Sequence, residues 1–153
     1  MKKILISLVC LILPVLLYGQ NNGNIQFADE ITKSLCVTSW DTNGDGELSY
    51  NEAAAVTSLG DVFRESTITS FDELQYFTGL TEIITQAFSN CMNLQTITLP
   101  STITAIGQGA FVMCDNLQVI DIPASVANIG DGAFWECMNL AEIRCHVINP
   151  FPI

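Results

Sequence analysis

The chain has 153 residues and a formal net charge of −11 at pH 7, from 16 acidic and 5 basic residues, and 49% of its residues are hydrophobic. That length supports one compact domain and a small appendage. So few positive charges exclude nucleic acid as a partner, because a phosphate backbone needs a basic footprint, while the acidity favours solubility and draws cations.

The first elements are those of an export signal. Lys2 and Lys3 precede an apolar run from Ile4 to Leu17, broken only by Ser7 and Pro14, and small Gly19 comes before the polar stretch Gln20 to Gly23. This order predicts a signal peptide over residues 1–19, too short for a membrane span, so that no transmembrane segment is expected in the mature chain. Ser7-Leu8-Val9-Cys10 has bulky Val9 where a lipoprotein box wants a small residue, so free secretion is favoured over lipid anchoring. Loss of Lys2 and Lys3 leaves 3 basic residues against 16 acidic ones, a net charge of −13. Of the 6 cysteines, Cys10 leaves with this segment and 5 remain, an odd number that argues against a disulfide framework.

Residues 20–56 are expected to form a helix, a cation-binding loop and a second helix. Ala28 to Trp40 has Phe27, Ile31, Leu35 and Trp40 at the spacing of one helix face, and Asn51 to Val56 reads as a short exit helix. Between them, Asp41 to Glu52 follows the twelve-residue EF-hand pattern. Asp41, Asn43 and Asp45 supply side-chain oxygens, Gly46 makes the sharp turn, Glu47 offers its backbone carbonyl, Ser49 reaches the ion directly or through water, and Glu52 has the length for bidentate chelation. Hard oxygen donors in this number suit Ca²⁺ over Mg²⁺ or Zn²⁺. The competing reading is an Asp/Asn/Gly turn held by its own hydrogen bonds. A solitary loop lacks a partner hand, so a structural ion is expected in place of a sensor's opening motion.

Residues 57–153 carry a repeat. Three segments begin at Gln86, Gly109 and Gly132, and Phe88/Phe111/Phe134, Cys91/Cys114/Cys137, Leu94/Leu117/Leu140 and Ile97/Ile120/Ile143 each recur every 23 residues. Pro100/Pro123, Ile106/Ile129 and Gly107/Gly130 recur in the two full units. Leu94, Ile97 and Leu99 in L-x-x-I-x-L predict a short strand with one face inward, Pro100 ends it, and Ile103 with Ile106 forms an apolar return limb. One such coil buries nothing alone, but stacked coils share a core and line up their strands in a parallel sheet. Upstream, Phe71, Leu74, Phe77, Leu80 and Ile83 read as an eroded helix-then-strand half, with Leu80 to Ile83 as its strand. Leu80 precedes Leu94 by only 14 residues, so a return limb is read as missing there. Val56 to Leu59 reads as a first irregular strand, giving about five strands in all.

The segment GAFVMCDNLQVIDIPASVANIG resembles the BspA-type leucine-rich repeat family of bacterial surface and secreted proteins, specifically over Thr85 to Cys145 and well from about Ile68. The segments DTNGDGELSYNEAAAV and FDELQYFTGL resemble the front end of members of that family. The resemblance implies an α/β fold, a right-handed solenoid used for adhesion or protein binding outside the cell, with no catalytic activity. The sequence departs from the pattern at His146 to Ile153, which replaces the return limb. This gives the alternative expectation of a truncated or capping fragment of a larger surface protein.

The outward strand positions Glu82 and Ile84, Thr96 and Thr98, Val119 and Asp121, and Glu142 and Arg144 form a mildly acidic strip suited to a protein or peptide ligand. Cys91, Cys114 and Cys137 read as a ladder of small buried residues. Cys36 and Cys145 stand outside it, and a bridge between them is open. His146 is the only histidine, so no triad or multi-histidine metal site can be assembled around it, and a non-enzymatic role is expected.

Overall fold

A computed structural model of the chain describes residues 23–146. The expected signal segment and residues 147–153 lie outside the described residues. The first helix, α1 (Glu30–Trp40), starts where Asp29 stays extended and accepts hydrogen bonds from the N–H groups of Ile31 and Thr32 at 2.7 and 2.9 Å. The other Asp29 oxygen accepts from the N–H and the hydroxyl of Thr69, both at 2.6 Å, so one carboxylate caps the helix and ties it to the coils. Burial pushes the Asp29 carboxyl up, but the hydrogen bonds from Thr69, Thr32 and Ile31 together outweigh it and hold its pKa below the ordinary value.

Tethering through Asp29 sets which stripe of α1 faces inward. Thr32 and Cys36 are fully buried, with Leu35 and Trp40 packed beside the core, and the Thr32 hydroxyl donates to the Ser70 carbonyl at 2.8 Å. Ile31, expected on the inner face, is instead 44% exposed. The second helix, α2 (Tyr50–Ala55), begins at Ser49, whose hydroxyl accepts from Glu52 N–H while the Glu52 carboxylate accepts from Ser49 N–H, a capping box. Trp40 meets Phe77 edge-on at 5.5 Å and joins α1 to the aromatic core.

Beyond α2 the described residues wind through seven short strands: β1 (Ser70–Phe71), β2 (Glu82–Ile83), β3 (Thr96–Ile97), β4 (Ala105–Ile106), β5 (Val119–Ile122), β6 (Asn128–Ile129) and β7 (Glu142–Cys145). All pair in parallel and in two separate places, which corrects the expectation of about five strands along one side. The order β2-β4-β6 is unbroken, whereas the other set divides into β1-β3 and β5-β7. Partners in β2-β4-β6 and β5-β7, such as Glu82 with Ala105 and Val119 with Glu142, lie 23 positions apart.

The upstream coil differs from its expected layout. Ser70 pairs with Thr96 and Phe71 with Ile97, an offset of 26 positions, and a 3₁₀ helix (Asp72–Tyr76) follows β1 directly. Phe71 is therefore a strand residue. Leu80 to Ile83 is the return limb that the sequence reading took to be missing, since Thr104 N–H donates to the Thr81 carbonyl as Ala127 N–H does to that of Thr104. Val56 to Leu59 forms no strand. The 3₁₀ turn lies within the longer coil, whose offset of 26 positions disguises the register of that return limb.

The core is a column of phenylalanines. Phe63 stacks on Phe88 at 5.4 Å, Phe88 on Phe111 at 5.2 Å and Phe111 on Phe134 at 5.4 Å, the last two pairs within 7° of parallel. Beside it, the thiols of Cys91, Cys114 and Cys137 donate to the carbonyls of Phe63, Phe88 and Phe111 at 3.0 to 3.1 Å. Among the described residues these cysteines form no disulfide, nor do buried Cys36 and exposed Cys145. Burial, with Glu73 adding to it, pushes the Cys36 thiol well above its ordinary range. No helix among the described residues is long and apolar enough to cross a membrane.

Candidate functional site

The loop between α1 and α2 is shaped by its carboxylates and glycines. Asp41 accepts from Gly44 N–H through one oxygen and from Gly46 N–H through the other, at 2.7 and 2.9 Å. Asn43 accepts from Asp45 N–H and Asp45 from Glu47 N–H. Gly44 and Gly46 sit at φ +74° and +81°, in the left-handed region that the turn requires and a side chain would resist. Glu52 closes the loop by accepting from the N–H and hydroxyl of Thr42 at 2.8 Å and from the N–H and hydroxyl of Ser49 at 2.9 and 2.8 Å. The Ser49 N–H lowers its pKa most, outweighing burial that raises it, and with the Thr42 and Ser49 side chains and Thr42 N–H holds it down to about 2.

A neighbouring segment supports the loop from outside. Ile25 N–H donates to the Leu48 carbonyl at 2.8 Å, Tyr50 N–H donates to the Gly23 carbonyl at 3.2 Å, and Asn24 and Ser49 form an antiparallel bridge. Asn24 also lines the loop cavity with Thr42, Asn43, Asp45 and Glu52. Asn24 lies outside the twelve-residue pattern, so nothing in that pattern points to it.

The donor set fits a hard cation in kind: carboxylates, an amide, a hydroxyl and a carbonyl, with no sulfur or imidazole. The side chains are otherwise engaged. Among the described residues no three His, Cys, Asp or Glu side chains converge as a metal would need, because Asp41, Asp45 and Glu52 each bond loop N–H groups. Glu47 forms a salt bridge to Lys33 at 2.8 Å, which leaves its backbone carbonyl as the atom the pattern assigns to an ion.

The second candidate is the outward face of β1, β3, β5 and β7. Thr96, Thr98, Val119, Asp121 and Arg144 line one groove of about 380 Å³, joined by Asp72, Gln95 and Gln118, which the sequence reading did not single out. Asp72 enters because the 3₁₀ helix follows β1; its two oxygens accept from the Thr96 and Thr98 hydroxyls, each at 2.9 Å. At the other end Arg144 pairs with Glu142 at 2.9 Å, and His146 contacts Asp121 at 3.0 Å. Glu82 belongs elsewhere: β2 pairs with β4, which puts Glu82 and neighbouring Ile84 on the other set of strands. Among the described residues no backbone ladder joins β3 to β5, so the groove spans that gap.

Residues 57–149 match, in 6 copies, the family described as BspA type Leucine rich repeat region. A solved leucine rich cell surface protein from Faecalibacterium prausnitzii is 43% identical over 44% of this chain and 17% of its own length, with a TM-score of 0.42. A solved leucine rich repeat protein from T. pallidum is 19% identical over 50% of this chain and 63% of its own, with a TM-score of 0.29. The chain thus spans less than two thirds of either relative. No curated protein matches it. The family match starts just after α2, upstream of the expected resemblance from Ile68, and takes in every strand described above. Parallel strands stacked coil on coil, an aligned phenylalanine column and a match over more than half of the sequence lead to one conclusion: the chain belongs to the BspA type leucine rich repeat family.

Proposed function

We propose that the chain is an exported, non-enzymatic binding or adhesion module, secreted or held at the cell surface, that takes a protein or peptide on its strand face. The observation that carries this reading is the groove from Asp72 through Thr96 and Thr98 to Asp121 and Arg144, where hydroxyl groups hold a carboxylate in place at one end and a guanidinium stands at the other. Pre-set polar groups of opposite sign on a flat strand surface suit an extended chain with its own alternating donors and acceptors. Export is supported by the order of charges and apolar residues in 1–19. In this reading the strands belong to right-handed coils of 23 residues with one longer coil before them.

The loop from Asp41 to Glu52 serves this module as a structural Ca²⁺ site, with Asp41, Asn43, Asp45, the Glu47 carbonyl, Ser49 and Glu52 as donors. The glycine conformations and the donor chemistry support that role. The bridge from Asn24 to Ser49 supports it further, since it braces the loop where a second hand's loop would otherwise pair.

The binding reading is tested with a peptide array probed by the labelled full chain. Thr98→Arg should weaken bound peptides by at least about tenfold, while Glu82→Ala should leave them unchanged. Equal binding by the Thr98→Arg variant removes the strand face from the account.

A further inference from the structure

Another surface lies at the turns that follow β2, β4 and β6. Thr85, Gln108 and Asp131 occupy corresponding turn positions, as do Gln86, Gly109 and Gly132 beside them. Gln86 N–H donates to the Gln108 carbonyl at 3.0 Å and Gly109 N–H to that of Asp131 at 3.1 Å, which stacks these turns one coil upon the next. Gly109 and Gly132 have φ of +58° and +61°. A Cβ on Gly132 would meet the Trp135 Cβ at 3.5 Å, an ordinary contact, so the glycine is favoured there by its positive φ and adds no side chain beside Trp135. The result is a trough of about 480 Å³ bounded by Val112 and Trp135.

Two features set this trough apart. Trp135 is 66% exposed, where the corresponding residue of the preceding coil is the smaller Val112. Outward polar side chains elsewhere tie coils together: Asn116 donates to the Met92 carbonyl, Asn139 to that of Asp115, and Thr102 to that of Leu80. The side chains of Thr85, Gln86, Gln108 and Asp131, by contrast, make no hydrogen bond to another described residue. Their donors and acceptors are left for solvent or a ligand.

We propose that this trough is a saccharide-binding subsite that takes a neutral sugar ring against the face of Trp135. A pyranose offers a C–H face for an indole to cover and a rim of hydroxyls that both donate and accept. The glutamine amides and the Thr85 hydroxyl can do both in return, and Asp131 accepts. Asp131 and the chain's net charge of −11 repel uronates, sialylated and sulfated glycans, which restricts the ligand to neutral sugars. Coils repeat at about 4.8 Å, so a glycan lying along the stack meets Gln108 and Asp131 in succession.

The test titrates the full chain with neutral tetrasaccharides of glucose, mannose and N-acetylglucosamine, and with a uronate tetrasaccharide, followed by calorimetry and tryptophan emission. At least one neutral sugar should saturate with a Kd of about 1 mM or tighter, and the uronate should not bind. Trp135→Ala and the double variant Gln108→Ala/Asp131→Ala should each weaken binding by at least about tenfold, whereas Trp135→Phe should keep part of it. Because Trp135 is mostly exposed, its removal should leave the melting temperature unchanged, which separates lost binding from lost folding. The proposal is overturned by the absence of neutral-sugar binding at about 10 mM, by undiminished binding in Trp135→Ala, or by equal uronate binding.

Discussion

Phe88 lies face to face with Phe111, ring centroids 5.2 Å apart and planes 5° from parallel. Phe111 is covered on its far side by Phe134, so the side chain is enclosed by the coil before it and the coil after it. Phe111→Ala should therefore cost about 3–5 kcal/mol, as a cavity opens between coils that cannot close independently. Phe134 is only partly buried, and Phe134→Ala should cost less. Urea unfolding of the two variants checks the order; a smaller loss at Phe111 contradicts it.

Gly107 shows a different constraint. A Cβ there would stand 2.4 Å from the Thr85 nitrogen, and one on Gly130 would stand 2.5 Å from the Gln108 nitrogen. These neighbours are backbone and cannot swing aside. Gly107→Ala should destabilise by about 3 kcal/mol by prising coils apart, while Gly60→Ala, with open space around it, should register only the strain of its positive φ. Thermal melts of the pair distinguish a packing role from a conformational one.

Two carboxylates should give stability a pH dependence of known sign. Asp29 and Glu52 both have pKa values below their ordinary 3.8 and 4.5, Glu52 at about 2. Each prefers the ionised form when folded, so the stability it contributes is fully present above the unfolded value. That contribution is lost as pH falls from about 4.5 towards 2. Melting temperatures across this window should fall for the native chain and fall less for Asp29→Asn and Glu52→Gln. A profile unaltered by both substitutions contradicts the assignment.

Calcium is expected to raise the melting temperature, because an ion bound only by the folded loop stabilises it by an amount that grows with the logarithm of the free ion concentration above its Kd. Asp41→Ala combined with Glu52→Ala should abolish the rise. Identical melts with calcium and with chelator in the native chain contradict the structural-ion reading.

The repeat was readable where its period was regular, and it became unreadable where one turn changed length. Phe88, Phe111 and Phe134 recur at one spacing, which makes their column legible, whereas its fourth member, Phe63, stands 25 positions before Phe88 and so falls outside that spacing. The 3₁₀ turn from Asp72 to Tyr76 lengthens the coil and removes the match in spacing. The left-handed backbone at Asn90, Met113 and Glu136 also escaped notice, since φ near +60° normally announces itself as glycine. In the loop, the donor residues were legible because ligand geometry fixes their spacing, whereas Asn24 and Asp72 reach their sites only through folding. The inward stripe of α1 was misjudged at Ile31 because Asp29, by reaching Thr69, rotates the helix in a way that hydrophobicity does not encode.

The gap between β3 and β5 has a mechanical consequence. On one side of the stack the hydrogen-bonded ladder runs uninterrupted through β2, β4 and β6, and on the other it is cut once. Such a body is stiffer along one flank than along the other, and it flexes most easily by fanning open at the cut while pivoting about the intact flank. The groove between Thr98 and Val119 lies over the cut, opposite that pivot, so its width is the dimension that bending changes most.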